Sequence, residues 1–369
     1  MTQPIKVAAA QMDATPAPLH ERLARAETLV STCAQEGAQL VVLPELFNLG
    51  YGYEETNYAA AEPQTGKTFA WMQHQAKAHN VHLVGTFLLL DGDHVYNTAF
   101  LIAPDGTFWR YDKQFPFALE RAFFREGDRI TIADTALGKI GMMICWDAAH
   151  ASVWRRYAGQ VQLMAIPSCA PNMQHFNLEL NAETSIPIHV DNNHFSDVDV
   201  RDQAAWLGVP VVMSGGSGEL RSRLPIPMSL GALLAARPGL LQHVAQGSEA
   251  RIVTDYGNYT QVISAEGAIL GTASSGDSFT IAQVSPADSP PAPSLPQPPM
   301  RTAWLSYAVT DIAAHAATIP LYQRKLRQHF GANMAPTSDK TLLWGALVAS
   351  AVVVGWLIGK RNRKYLPED

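Results

Sequence analysis

The stretch that decides the fold is Gly138-Lys139-Ile140-Gly141-Met142-Met143-Ile144-Cys145-Trp146-Asp147. Its apolar run has the length of a buried strand and stops at a cysteine, and residues 148–158 contain no proline or glycine, which predicts a helix. A thiol at a strand-to-helix turn lies at the positive end of the helix, which favours the thiolate. Cys145 is therefore a candidate nucleophile, although a lone cysteine after an apolar strand is more often a small buried side chain.

Two other predicted strands also end at charged side chains. Residues 40–43 have a buried-strand pattern and lead through Pro44 to Glu45, and residues 109–112 lead to Lys113. Strands and predicted helices alternate along the chain, which indicates a layered α/β architecture. A glutamate, a lysine and a cysteine at strand ends can converge at one edge of such a sheet.

Four motifs in this order and spacing resemble the carbon–nitrogen hydrolase (nitrilase) superfamily. They are Pro44-Glu45-Leu46-Phe47, Tyr111-Asp112-Lys113, Leu119-Glu120-Arg121-Ala122-Phe123-Phe124-Arg125-Glu126-Gly127 and Ile144-Cys145-Trp146-Asp147. The resemblance covers roughly residues 4–285 and implies an α-β-β-α sandwich, which the pattern alone does not distinguish from other α/β layers.

The resemblance also implies a catalytic set. Cys145 is the nucleophile, Glu45 the proton shuttle, Lys113 the oxyanion-stabilising cation, and Glu120 a second glutamate that positions substrate and lysine. A carboxylate at the end of a buried strand is expected to have a raised pKa, which suits it to exchange protons with the thiol and the leaving amine. The pocket is expected to include the following residues: Trp146, whose N–H can bind the oxyanion, and Tyr51, His150, Cys169 and Asn172. Asp147 is interpreted as structural.

The substrate is not specified by these motifs. Where many amidases continue with an aromatic-Pro-Glu segment, this chain has His150-Ala151-Ser152. The pair Trp146-Asp147 resembles carbamoyl-amine amidases and favours hydrolysis of a non-peptide amide. Nitrile hydrolysis and N-acyl transfer by the same Glu-Lys-Cys site remain alternatives, and a non-catalytic membrane scaffold is a third reading.

Composition excludes some partners. The net charge of −6 and the pI of about 6.0 argue against nucleic acid. The three cysteines suit a reducing compartment. The histidines do not form a metalloprotease pattern, and Ser214-Gly215-Gly216-Ser217-Gly218 lacks the lysine of a phosphate loop, so we expect no metal and no cofactor. The expected partners are a small-molecule amide, which can be hydrophobic, membrane lipid, and further copies of the chain in a homodimer or higher homo-oligomer.

Five regions are predicted along the chain. They are a hydrolase domain (1–284) with an insertion at 221–250, a Pro-rich linker with few contacts (285–300), an amphipathic segment (301–330) whose helix from Thr302 to Ile319 is ended by Pro320, a transmembrane helix (341–359) and a basic tail (360–369). The insertion is either a surface loop with a short packed helix or a lid or membrane-facing flap near the pocket.

A membrane anchor is predicted from the apolar span at residues 342–359. It is uncharged, has Trp344 and Trp356 near its ends, and is followed by a basic tail. A buried core helix is the alternative. Positive charge on both sides leaves the orientation open. No secretory signal is visible, so we expect a membrane-anchored protein with a cytoplasmic catalytic domain.

Overall fold

The computed structural model describes residues 3–189, 200–223, 250–257, 259–299, 311 and 314–331. Its strands are β1 Ile5–Asp13, β2 Leu40–Val42, β3 His82–Asp91, β4 His94–Ile102, β5 Phe108–Asp112, β6 Ile132–Thr135, β7 Gly138–Met142, β8 Leu163–Pro167, β9 His175–Glu179, β10 Ser185–His189, β11 Val211–Ser217, β12 Glu219–Arg223, β13 Arg251–Asp255, β14 Gln261–Ile263, β15 Ile269–Thr272 and β16 Ser278–Val284. Its α-helices are α1 Leu19–Gln35, α2 Thr56–Ala59, α3 Lys67–His79, α4 Ala151–Tyr157, α5 Val200–Leu207 and α6 Ala314–Phe330, and there are 3₁₀ helices at Ala118–Ala122 and Cys145–Ala149.

One 12-stranded sheet dominates the fold. Its main path runs β5-β4-β3-β2-β1-β11-β8-β7-β6, and β14, β15 and β16 attach beside it. The two end strands, β5 and β6, contact each other, so the sheet is nearly closed. The α/β class predicted from the alternation of elements is confirmed.

Helices cover the outer faces of the two halves of this sheet. Leu29 of α1 and Met72 of α3 belong to the core beneath one half, and Trp154 of α4 and Leu207 of α5 belong to the core beneath the other. A third core, formed by side chains from both halves, lies between them. The layers are therefore α-β-β-α, but one bent sheet supplies both β layers.

Helix α1 follows its sequence pattern closely. Ala26, Leu29, Val30 and Cys33 are buried, which is the spacing of one helical face. Gly37 follows with a φ of 86°, the left-handed conformation that ends many helices and that glycine adopts without strain.

A second, smaller sheet was not predicted from the sequence. It has the order β10-β9-β13-β12, with antiparallel pairing throughout. The predicted insertion at 221–250 thus begins within β12 and ends just before β13. Residues 224–249, on which the choice between loop and lid depends, lie outside the described residues.

The Pro-rich stretch lacks helix and strand, as its composition indicates, but it is not free of the domain. Gln162 donates from Nε2 to the Ala287 carbonyl at 2.6 Å, and Trp206 donates from Nε1 to the Leu295 carbonyl at 2.8 Å. The expectation of a linker with few contacts is therefore wrong for residues 287–295, because side chains of the domain bind its backbone.

The predicted helix end at Pro320 is also wrong. Pro320 lies inside α6, and Tyr322 and Leu326 beyond it are 3% and 0% exposed. They belong to a core with Tyr58 and Phe123, so α6 packs on the hydrolase domain. Burying two large side chains contributes about 3–6 kcal/mol, enough to offset the ~3 kcal/mol cost of an internal proline.

Within the described ranges, no helix is long and apolar enough to span a bilayer. The predicted transmembrane helix (341–359) and basic tail (360–369) lie outside these ranges.

Candidate active site

Glu45 lies just beyond the end of β2 and is fully enclosed. Its side chain is 0% exposed, and Oε1 accepts hydrogen bonds from Lys113 Nζ at 2.7 Å and Asn97 Nδ2 at 2.8 Å. Burial raises the pKa of Glu45 to about 7, although the positive charge of Lys113 acts in the opposite direction. A carboxyl group with this pKa can both accept and return a proton near neutral pH.

Lys113 lies between two glutamates. Its side chain is 0% exposed, and Nζ is 2.7 Å from Glu45 Oε1 and 2.7 Å from Glu120 Oε2. Burial alone would lower the pKa of Lys113, but the carboxylates of Glu120 and Glu45 raise it well above its usual range. The lysine is therefore a permanent ammonium group rather than a base.

Both carboxylate oxygens of Glu120 accept hydrogen bonds. The backbone N–H of Phe117 donates to Oε2 at 2.6 Å, and the Tyr51 hydroxyl donates to Oε1. Because Glu120 is 2% exposed, these hydrogen bonds and Lys113 together satisfy a carboxylate that burial would otherwise destabilise. The orientation of Lys113 is thereby fixed.

Cys145 occupies a sharp turn after β7. Its backbone has a φ of 47°, which is uncommon for a residue other than glycine and which directs the chain from Ile144 into the 3₁₀ helix. The side chain is half-buried and borders a cavity of about 690 Å³.

The pKa of the Cys145 thiol does not favour the thiolate at neutral pH. Burial, followed by the negative charge of Glu45, raises the pKa of Cys145 to about 12. The expectation that a helix N-terminus favours the thiolate is therefore wrong. The helix following Cys145 is a single 3₁₀ turn, and His150, with extended backbone angles, separates it from α4. Glu45, whose pKa Cys145 in turn affects, is the adjacent group that can take the thiol proton.

Asp147 ties the cysteine turn to the lysine strand. Its carboxylate accepts hydrogen bonds from the Tyr111 hydroxyl at 2.7 Å and from the backbone N–H groups of Ile144 at 3.0 Å, Gln114 at 3.0 Å and Phe115 at 2.7 Å. Burial raises its pKa, with Lys113 acting in the opposite direction. These bonds connect the two loops that carry Cys145 and Lys113, in keeping with the structural role expected for Asp147.

Three of the five expected pocket residues line the cavity. Tyr51, Trp146 and Asn172 line it. The structure does not place His150 there, because its ring stacks on Phe115 at a centroid distance of 3.7 Å. Cys169 is also absent from the lining: it is 1% exposed, and its sulfur faces the space beside the small Gly216.

Sequence reasoning missed Asn97 and Asp311. Asn97 is 0% exposed in strand β4, and a polar residue at a core position of a strand is a signal that could have identified it. Asp311 is 4% exposed and contacts His150 and Arg121 from the C-terminal segment. The local sequence gives no sign of that contact. Across the described ranges, no group of three or more acidic, histidine or cysteine side chains could hold a metal ion.

Comparison with known proteins agrees with this geometry. The family model described as carbon-nitrogen hydrolase matches residues 6–185. A nitrilase of Pyrococcus abyssi is 35% identical over 147 residues, which cover 39% of this chain and 56% of that protein. Omega-amidase NIT2 of Danio rerio is 33% identical over 162 residues, which cover 40% of this chain and 57% of that protein. The chain thus spans little more than half the length of these relatives.

Solved structures share the fold. An amidase from Nesterenkonia sp. superposes with a TM-score of 0.57 at 17% identity, covering 78% of this chain and 92% of that one. A CN-hydrolase superfamily protein from Xanthomonas campestris, XC1258, gives a TM-score of 0.55 at 17% identity, covering 77% and 91%. The family model and the relatives therefore agree that residues 6–185 match a carbon–nitrogen hydrolase domain, and the solved structures share its fold.

Proposed function

We propose that this chain hydrolyses a non-peptide amide through a thioester formed on Cys145. The observation that carries the proposal is the buried Lys113 ammonium group, held at 2.7 Å by both Glu45 and Glu120 behind a cysteine that borders a cavity. Burying three ionised groups is costly, and a fold retains such a cluster where a reaction uses it.

In the first half-reaction, Cys145 Sγ attacks the carbonyl carbon while Glu45 accepts the thiol proton. With pKa values of about 12 for the thiol and about 7 for Glu45, the thiolate is scarce at rest, so proton transfer accompanies the attack. Negative charge then develops on the substrate oxygen, where Lys113 and the Trp146 N–H can stabilise it. The carbon–nitrogen bond breaks as Glu45 returns the proton to the departing amine.

In the second half-reaction, water replaces the amine. Glu45 accepts a proton from the water, whose oxygen attacks the thioester carbon, and the carbon–sulfur bond breaks to release a carboxylic acid. The thiolate of Cys145 recovers its proton from Glu45. Glu120 takes no proton in this scheme and holds Lys113 in place.

The cavity supports a substrate larger than acetamide. Its volume of about 690 Å³ lies within the usual range of roughly 300–1,000 Å³ for sites that bind drug-sized molecules. Phe117, Trp146 and Ile269 offer apolar surface, and Asn172 and Gln174 add polar groups. We propose a medium-sized amide with an apolar body.

Nitrile hydrolysis is the second candidate, since the Pyrococcus abyssi relative is named a nitrilase. The same cysteine could add to a nitrile carbon, with water supplying both oxygens of the acid. A membrane location is a separate proposal, supported by the uncharged apolar sequence at 342–359.

The test is intact-mass analysis of the full-length chain incubated with matched panels of amides and nitriles. An acyl adduct on Cys145 with release of acid and ammonia from amides supports the proposal, and acid formation from nitriles alone favours the second candidate. The Cys145→Ala variant is expected to lose turnover and adduct together, whereas Cys169→Ala, which changes a thiol outside the cavity, is expected to retain both. Turnover by the Cys145→Ala variant would refute the assignment, and a chain that forms no adduct with either panel would support a non-catalytic scaffold.

A further inference from the structure

A buried carboxylate of the C-terminal segment reaches the loops that carry the catalytic residues. Asp311 has a side chain that is 4% exposed and lies between two side chains of the domain. Its Oδ1 is 3.1 Å from Arg121 Nη2, and its Oδ2 is 3.4 Å from His150 Nε2, within ion-pairing distance when that ring is protonated. A carboxylate this deeply buried is stabilised mainly by such partners.

The contact with Arg121 connects Asp311 to the loop that carries Glu120. Arg121 follows Glu120 in the 3₁₀ helix at residues 118–122 and is itself 4% exposed. It also donates to Glu126 Oε1 at 3.0 Å and to the Pro116 carbonyl. Asp311 therefore helps to neutralise the guanidinium group that holds both ends of the Glu120 loop.

The contact with His150 connects Asp311 to the turn that carries Cys145. His150 Nδ1 is 2.9 Å from the Trp146 carbonyl oxygen, and its ring stacks on Phe115. Because a carbonyl only accepts, Nδ1 is the donor. His150 thus braces the turn that begins at Cys145. Asp311 Oδ2 lies 3.4 Å from the opposite ring nitrogen, which makes no hydrogen bond, so the two groups attract each other only as an ion pair.

Helix α6 holds the segment against the domain. Tyr322 and Leu326 are buried, and the Tyr322 hydroxyl accepts a hydrogen bond from the Val95 N–H at 3.1 Å. Val95 begins the part of β4 that continues to Asn97, the donor to Glu45. The helix therefore fixes the segment next to the strand that orients Glu45 and the loop that carries Glu120.

We propose that Asp311 is a positioning residue, through which the docked C-terminal segment holds the Glu120 loop and the Cys145 turn in their reactive geometry. The proposal rests on the hydrolytic function proposed above. Asp311 contacts Arg121 and His150, and it acts on the two loops through these side chains. Removing its charge would leave the Arg121 guanidinium buried with one carboxylate partner fewer, and the loop would shift to compensate.

The test compares Asp311→Asn and Asp311→Ala with Glu55→Gln in the full-length chain. Glu55 pairs with Lys325 and His329 of α6, so its substitution loosens the same helix at a place remote from the catalytic loops. Two readouts are used: steady-state hydrolysis of an amide found in the panel, and the rate of alkylation by iodoacetamide measured by intact mass. Cys33 and Cys169 are 0% and 1% exposed, so a single fast adduct reports on Cys145.

We expect Asp311→Asn to lower kcat by on the order of 10-fold to 100-fold, the usual consequence of a small misplacement of reacting groups, while KM changes by less than about threefold. Its alkylation rate should fall as well, and Glu55→Gln should match the wild-type chain in both readouts. An unchanged kcat and alkylation rate in the folded Asp311→Asn variant would overturn the proposal. An equal loss of kcat and alkylation rate in Glu55→Gln would also overturn it. The packing of α6 on the domain would then explain the effect without a specific role for Asp311. If the wild-type chain cleaves no amide, the proposed hydrolysis fails, and the alkylation comparison still decides the role of Asp311.

Discussion

Replacing Lys113 by methionine removes the charge at the centre of the site with little change in volume. Removing one oxyanion donor typically costs roughly 3–4 kcal/mol at the transition state, so kcat is expected to fall by about 100-fold to 1,000-fold. The substitution also leaves Glu45 and Glu120 buried without their shared cation. Breaking such a buried pair costs about 3–5 kcal/mol of stability, which a domain of ordinary stability survives.

The Lys113→Met substitution should also change the pH dependence of kcat/KM. The positive charge of Lys113 is the leading influence that keeps the pKa of Glu45 from rising further. Without it, the carboxyl group should hold its proton to higher pH, and the acidic limb of kcat/KM should move upward from about 7 by roughly 1–3 pH units.

The assay is a pH–rate profile of the Lys113→Met variant beside Lys139→Met. Lys139 pairs with Asp134 at 2.9 Å on the surface, with its side chain 41% exposed, so its loss should leave both kcat and the limb unchanged. A Lys113→Met variant with normal kcat and a raised KM would show that Lys113 only binds substrate. A limb that moves to lower pH would refute the electrostatic argument.

The wild-type kcat/KM should decline as pH falls below about 7, because Glu45 then keeps its proton and cannot accept that of the thiol; a flat profile from pH 5 to 8 would contradict this. Leu326→Ala should lower the free energy of unfolding by about 2–5 kcal/mol in urea titrations, since Leu326 is 0% exposed, whereas Leu295→Ala, at a side chain 59% exposed, should change it by less than about 0.5 kcal/mol. A variant ending at residue 284 should aggregate in size-exclusion chromatography because the surface under α6 is uncovered, and one ending at residue 331 should not. In membrane fractionation, the full-length chain should pellet with membranes and the 1–331 variant should not; a full-length chain that is wholly soluble without detergent would refute the anchor.

The central charged groups could be placed from the sequence because each depends on a local pattern. Glu45, Lys113 and Cys145 each follow a short apolar strand, and neighbouring strand ends meet at one edge of a sheet. The structure brings all three together with Glu120. Their order along the chain, together with the family resemblance that this order carries, was enough to propose the candidate site.

Features that depend on contacts between residues far apart in the sequence could not be predicted from local patterns. The end of α6 was misplaced because Pro320 is a strong local signal, and the burial of Tyr322 and Leu326 that overrides it comes from residues far away in the sequence, such as Tyr58 and Phe123. The pKa of Cys145 was misjudged because helix position is visible in the sequence, whereas burial beside Glu45 is not.

The first strand has a consequence for how the protein is made. β1 lies inside the main sheet, with β2 along one side and β16 and then β11 along the other; Ala9, for example, pairs with both Val42 and Thr280. The pairing with β16 cannot form until Thr280 has left the ribosome, which at ~5–20 residues per second comes roughly 14–54 s after β1 is synthesised. Throughout that interval an apolar strand has one edge without its final partner, so the nascent chain is a predicted client for chaperones that shield exposed strands.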